Sequence, residues 1–151
     1  MYLASDYNTY YYTPCVLYSC IHVELLLCQV QRYHRDAEET KDWIMEKKAQ
    51  LQTEDLGKDL ASVQRLQRKH EGLERDLAAL GDKVRTLDET ASRLMQTHPD
   101  QAEAIYNHQT EINEHWNQLT AQADTRKARL LDSYDYQRFC ADFRYAHKAT
   151  V

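Results

Sequence analysis

LASVQRLQRKHEGLERDLAALGDKVRTLDETASRLM, residues 60–95, is the stretch on which the fold turns. Val63, Leu66, His70, Leu73, Leu77, Leu80, Val84, Leu87, Ala91 and Leu94 follow one another at alternating steps of three and four. That alternation keeps one apolar seam on one side of a helix for more than four heptads, with His70 its clearly polar member. The spacing predicts a single helix over about 59–96, roughly 55 Å long at 1.5 Å per residue. Opposite charges at helical spacing, Glu71 with Arg75 and Glu89 with Arg93, mark the outer face. Gly72 and Gly81 lie inside, each at a cost of about 1 kcal/mol relative to Ala, so seam packing has to hold this helix together.

Upstream, Tyr33, Ala37, Thr40, Ile44, Lys47 and Leu51 take the same steps, with Trp43 beside the stripe, and predict a helix over about 31–51. Residues 52–58 read as a loop, with Gly57 just before the next start and Asp59 where the positive end of a helix favours an acid. Downstream, Thr97-His98-Pro99-Asp100 breaks the long helix, and Pro99 suits the first position of a third one over about 99–133. Its stripe is Ile105, Gln109, Ile112, Trp116, Leu119, Ala123, Arg126 and Leu130. No Gly or Pro occurs from Asp100 to Val151, so helix can run on through Phe139 and Phe143.

Short connections make successive amphipathic helices antiparallel neighbours, and three of them close into an all-α, up-down-up bundle, a left-handed coiled coil. The expected structural core is Trp43, Ile44, Val63, Leu66, Leu73, Leu77, Leu80, Val84, Leu87, Leu94, Ile105, Ile112, Trp116, Leu119 and Leu130. Lys47, Gln109 and Arg126 are tolerable on the seams if they lie near bundle ends or reach outward.

Composition agrees. In 151 residues there are 3 Gly and 2 Pro, too few for a β-sandwich with a tight turn every 8–12 residues or so. With 24 acids against 19 Lys and Arg, the net charge of -5 gives no general attraction to nucleic acid or to an anionic membrane. No Ser/His/Asp set, Gly-rich phosphate loop or H-E-x-x-H is present, so no catalytic residue, cofactor or small-molecule substrate is expected. The pairs His70 with Glu74 and Glu111 with His115 could each touch a metal. Two ligands on one helix fall short of a site, so none is expected.

Residues 1–30 differ in kind: they hold six of the 11 tyrosines and three of the four cysteines (Cys15, Cys20, Cys28), with Asp6 and Glu24 as their charged side chains. The apolar stretch 15–30 is shorter than the roughly 20 residues of a membrane span and is interrupted by His22 and Glu24. A signal peptide would carry a positively charged start, which is missing here. Residues 1–28 are thus expected to be a non-repeat segment, an alternative or misassigned start, flexible except where its end near Val23–Val30 runs into the first helix. Cys15, Cys20, Cys28 and Cys140 form no C-x-x-C and are expected to be free thiols.

The segment YHRDAEETKDWI, 33–44, resembles the first helix of a spectrin repeat, QRKHEGLERDL, 67–77, the middle of the second, and WNQL, 116–119, with Ala123 and Leu130, the third. The similarity covers residues 29–133. DLASVQ, 59–64, and LAALGDKV, 77–84, look most like the non-erythroid α-chain branch of that family. YQRFCADFR, 136–144, resembles the start of a following repeat's first helix, which residues 145–151 leave before its tryptophan, so 134–151 reads as a truncated start. The resemblance implies a spacer or scaffold in an actin-linked membrane skeleton, cytoplasmic at the cell cortex. Its implied partners are neighbouring repeats and a β-spectrin-type subunit, with actin linked indirectly. The alternatives are a module that binds a partner protein through an exposed helix face, and a repeat of a dystrophin or α-actinin-type chain.

Overall fold

The computed structural model describes the backbone of residues 14–149 and the side chains of 24–148 apart from position 26. Three helices follow in order: α1 (Pro14–Leu51), α2 (Leu60–Thr97) and α3 (Ala102–Ala149). The described chain divides after Arg32 into two units, and the bundle described below belongs to the second. The fold is all-α, a three-helix bundle.

Interhelical contacts fix the directions. Lys47 meets Asp76 and Glu39 meets Lys83, so α1 and α2 run antiparallel. Asp88 meets Asn113 and Glu74 meets Lys127, so α2 and α3 are antiparallel too. Tyr33 reaches Gln109 and Lys48 reaches Gln118, which makes α1 and α3 parallel. The order is therefore up-down-up. Exposed ion pairs of this kind contribute about 0–1 kcal/mol each and serve register more than stability.

The turn after α1 is built by local chemistry. Gly57 has φ +84, and a Cβ there would stand 2.8 Å from both Val63 Cγ2 and the Val63 nitrogen. Asp59 caps α2: its carboxylate accepts from the Ser62 amide at 2.7 Å, while Ser62 Oγ accepts from the Asp59 amide at 3.1 Å. This is a reciprocal capping box with Ser in the place usually taken by Glu or Gln. The Ser62 amide, followed by the Ser62 hydroxyl, holds the Asp59 carboxyl below the usual range.

Several boundaries differ from expectation. Residues 14–22, expected to be flexible, are helical like the stretch from Val23 onward, because nothing between Pro14 and Val30 breaks a helix; residues 1–13 lie outside the described residues. The third helix begins at Ala102, three residues late. The Gln101 amide donates to the His98 carbonyl at 3.0 Å and makes Pro99 and Asp100 the corners of a turn. At its other end α3 does not stop at residue 133 but continues to Ala149, with 48 residues and a length of about 72 Å.

Candidate functional site

Among the described residues the contacts between helices lie along the seams and at the ends of the bundle. Ile44, Val63, Leu73, Leu77, Leu80, Val84, Leu87, Leu94, Ile105, Ile112, Leu119 and Leu130 are all buried. Tyr33, Ala37, Leu51, Ala91 and Ala123 join them.

Three residues of the expected core stand elsewhere. Trp43 is 42% exposed, with Lys83 Nζ 3.8 Å from its ring centroid. It sits one position before buried Ile44, and a helix turns a neighbouring side chain about 100° away, so its ring lies at the rim as a cation–π platform. Leu66 is half-buried, lining a cleft with Leu51 and His70 near the α1–α2 turn. Trp116 is also half-buried, and its ring lies where a Cβ on Gly81 would stand, 2.9 Å from Cζ2. Gly81 is thus the groove into which the indole fits. The sequence gives no sign of this, since the partners are 35 positions apart.

The seam positions that looked too polar find specific partners. Gln109 is buried, and its Oε1 accepts from the Tyr33 hydroxyl at 2.9 Å. Its amide donates to Asn113, whose own amide donates to Asp88, so one chain of hydrogen bonds ties all three helices. Burial, followed by the charge of Asp88, raises the Tyr33 phenol to about 12. Lys47 reaches out to Asp76, as a long stem on an apolar face can. Arg126 donates to the carbonyls of Thr53 and Asp55, and Ser133 Oγ donates to the Leu56 carbonyl at 2.9 Å. Together these two α3 residues hold down the loop between α1 and α2.

Three histidines stand on or beside the seams. His34 and His108 face each other from α1 and α3, with Nδ1 atoms 3.1 Å apart, and His108 Nε2 is 2.8 Å from Glu38. His70 is 5% exposed on the α2 seam; its Nε2 is 4.0 Å from Glu74, and neither ring nitrogen makes a hydrogen bond. Burial lowers the pKa of His70 and outweighs the pull of Glu74. The other pair, Glu111 and His115, stands 3.7 Å apart, and Glu111 is engaged by Lys41 at 2.6 Å. Among the described residues no group of three His, Cys, Asp or Glu side chains could hold a metal, and no helix is long and apolar enough to cross a membrane. Cys28 and Cys140 are free thiols.

Beyond Leu130 the surface changes character. Tyr136, Phe139 and Phe143 are 64%, 68% and 65% exposed, at steps of three and four on α3. A seam thus continues past the last buried layer, with no helix of the described residues packed against it.

Residues 29–132 match the model of the spectrin repeat. The chain belongs to the spectrin repeat family. It is 44% identical over 110 residues to the erythrocytic spectrin α chain 1 of Mus musculus, a span of 73% of this chain and 5% of that one. The erythrocytic spectrin β chain of Mus musculus is 39% identical over 115 residues, and the spectrin β chain of Drosophila melanogaster 36% over 114, covering 76% and 75% of this chain and 5% of each relative. The chain therefore spans about 5% of the length of these relatives, the extent of a single spectrin repeat.

Proposed function

We propose that this spectrin repeat is a structural spacer, one link of an array in an actin-linked membrane skeleton at the cell cortex, and that it performs no catalysis. The observation that carries the reading is α3, which passes from the last buried layer at Leu130 through Ser133 to Ala149 without a break. A helix that leaves one bundle already formed can enter the next as its first helix. The exposed Tyr136, Phe139 and Phe143 then become the first layers of the neighbour's seam. Load would pass along backbone hydrogen bonds rather than through a loose linker.

By kinship with the spectrin chains, the partners would be adjoining repeats and a β-type subunit, with actin reached through other parts of the parent chain. An α-type parent accords with the higher identity to the α relative, 44% against 39% for the β chain of the same species. The non-erythroid branch rests on the wording of residues 59–64 and 77–84.

The test is Ser133→Pro in a two-repeat protein that carries a complete downstream neighbour. Proline removes one backbone hydrogen bond and clashes with the preceding turn, at about 3 kcal/mol; the side-chain contact to Leu56 is lost as well. One melting transition should separate into two, with this repeat still folded. Two independent transitions in the unmutated protein would make the junction a hinge and the array a string of loose beads.

A further inference from the structure

The pairing of His34 with His108 has a geometry that decides its chemistry. Their facing Nδ1 atoms are 3.1 Å apart, their centroids 5.4 Å apart, and the rings are tilted by 20°. Between those two distances there is room only for the radii of the rings themselves, so they meet head to head in nearly one plane rather than face to face. One Nδ1 must carry the proton and the other must present its lone pair.

A metal does not fit this arrangement. A shared ion needs both lone pairs to converge on a point about 2.0–2.1 Å from each nitrogen, and nitrogens aimed straight at each other leave no such point. What does fit is a proton. On the far side of His108, Nε2 lies 2.8 Å from Glu38 Oε1 but out of line with its N–H, an ionic contact that strengthens when the ring is charged.

We propose that His34, His108 and Glu38 form a one-proton clasp between α1 and α3, which holds in the neutral and the singly protonated state and opens when a second proton is added. In the neutral state one ring donates to the other. With one proton added, a charged His108 donates through Nδ1 to His34 and sits against the Glu38 carboxylate. A second proton leaves two N–H groups facing each other across 3.1 Å, with two like charges and no acceptor. One ring then has to swing away, or the helices have to part.

The surroundings do not relieve that repulsion. On α1, Glu38 is the acid of the clasp itself and Lys41 is a cation. On α3, Glu111 is engaged by Lys41 at 2.6 Å and lies 3.7 Å from His115. On α2, Asp88 is joined to Asn113, and Lys83 is paired with Glu39. Burial, then the charge of His108, lowers the pKa of His34 against the opposing pull of Glu38. Tyr33 makes edge contacts with both rings, at centroid distances of 5.4 Å and 6.2 Å, so opening the clasp would also disturb the Tyr33 to Gln109 bond.

The experiment is a titration of the histidine side-chain nitrogens by NMR on the full chain from pH 8 to 4.5, with resonances assigned through single His→Asn variants. Coupled groups share their inflections. Both rings should therefore report the same two steps, separated by more than about one pH unit. In His34→Asn the two shared steps should collapse into one, and Glu38→Gln, a change at an exposed position, should move the upper step of the pair to lower pH. Amide protection factors, exchange corrected for its intrinsic pH dependence, should fall in residues 33–41 and 105–112 below the lower step in the wild type and not in His34→Asn. Circular dichroism at pH 7.5 establishes that each variant is folded. Independent single-step curves in the wild type, an unchanged His108 curve in His34→Asn, or equal acid-induced exchange in the two proteins would overturn the clasp.

Discussion

Two glycines lie inside α2, and the structure assigns their replacement by alanine different outcomes. At Gly72 a new Cβ would find only Arg75 Nη2, at 3.7 Å, which is ordinary contact with the end of a flexible side chain. Gly72→Ala should therefore show the bare helix propensity, a gain of about 1 kcal/mol. At Gly81 the same Cβ would stand 2.9 Å from Trp116 Cζ2 and 3.3 Å from Cη2, both on a rigid indole. Forcing a methyl group into such a contact costs about 1–3 kcal/mol. Set against a propensity gain of about 1 kcal/mol, Gly81→Ala should be neutral to destabilising by up to about 2 kcal/mol. The cycle with Trp116→Leu isolates the clash: with the indole gone, Gly81→Ala should stabilise by about 1 kcal/mol, as Gly72→Ala does. Urea melts of the four corners at pH 7.5 measure the coupling, expected at about 1–3 kcal/mol. Equal effects of Gly81→Ala in the two backgrounds would refute the groove, and a stabilising Gly81→Ala in the wild type would show that the indole yields freely.

Trp43→Ala should cost only about 1–2 kcal/mol, from half-buried ring area and the Lys83 contact, rather than the 3–5 or so of a buried tryptophan; a loss of 3 or more in a urea melt would put the ring back in the core. Tyr33→Phe should cost about 1–3 kcal/mol, because Gln109 is buried and loses the hydroxyl that it accepts from, and a melt unchanged within 0.5 or so would mean that the bond contributes nothing. On acidification, His34 and His70 have folded pKa values below the ordinary 6.5, so the unfolded chain takes up their protons first. Stability should then fall as pH drops below 6.5 and level off below their folded values, with a smaller slope in His70→Leu; equal unfolding free energies at pH 7.5 and 5.5 would contradict this. On the alkaline side, Tyr33 with its phenol at about 12 against an ordinary 10.0 keeps its proton longer when folded, so stability should decline above pH 10, and less so in Tyr33→Phe.

The seams were legible because they depend on one-dimensional spacing: a three-four alternation of apolar residues leaves a helix no other way to bury its stripe. Ile44, Ile112 and Leu119, each 0% exposed, follow from that rule alone. The same rule leaves Trp43 beside the stripe, and the expectation of core there came from size and apolarity, whereas a step of one residue from Ile44 turns the ring to the rim. It was also silent about Gly81, whose reason lies on another helix. Gln109 looked like a residue to be tolerated at a bundle end, yet it is buried and bonded to Tyr33, a partner 76 positions away that no local pattern could supply.

Where the third helix ends was undetermined in the sequence for a physical reason. Helices end at signals, and from Asp100 onward there is neither Gly nor Pro to give one. Ser133 and Tyr134 have only modest helix propensities, but two such residues cannot end a helix whose backbone bonds are intact on both sides. The structure accordingly shows no terminus near residue 133, only a change in what the helix touches: Ser133 bonds back to Leu56 of this repeat, and three residues later Tyr136 is exposed. The domain edge that similarity places at residue 132 is therefore an edge in side-chain contacts and not in the backbone. A stiff spacer needs this separation of the two, with packing that changes from one bundle to the next while the covalent and hydrogen-bonded rod stays the same.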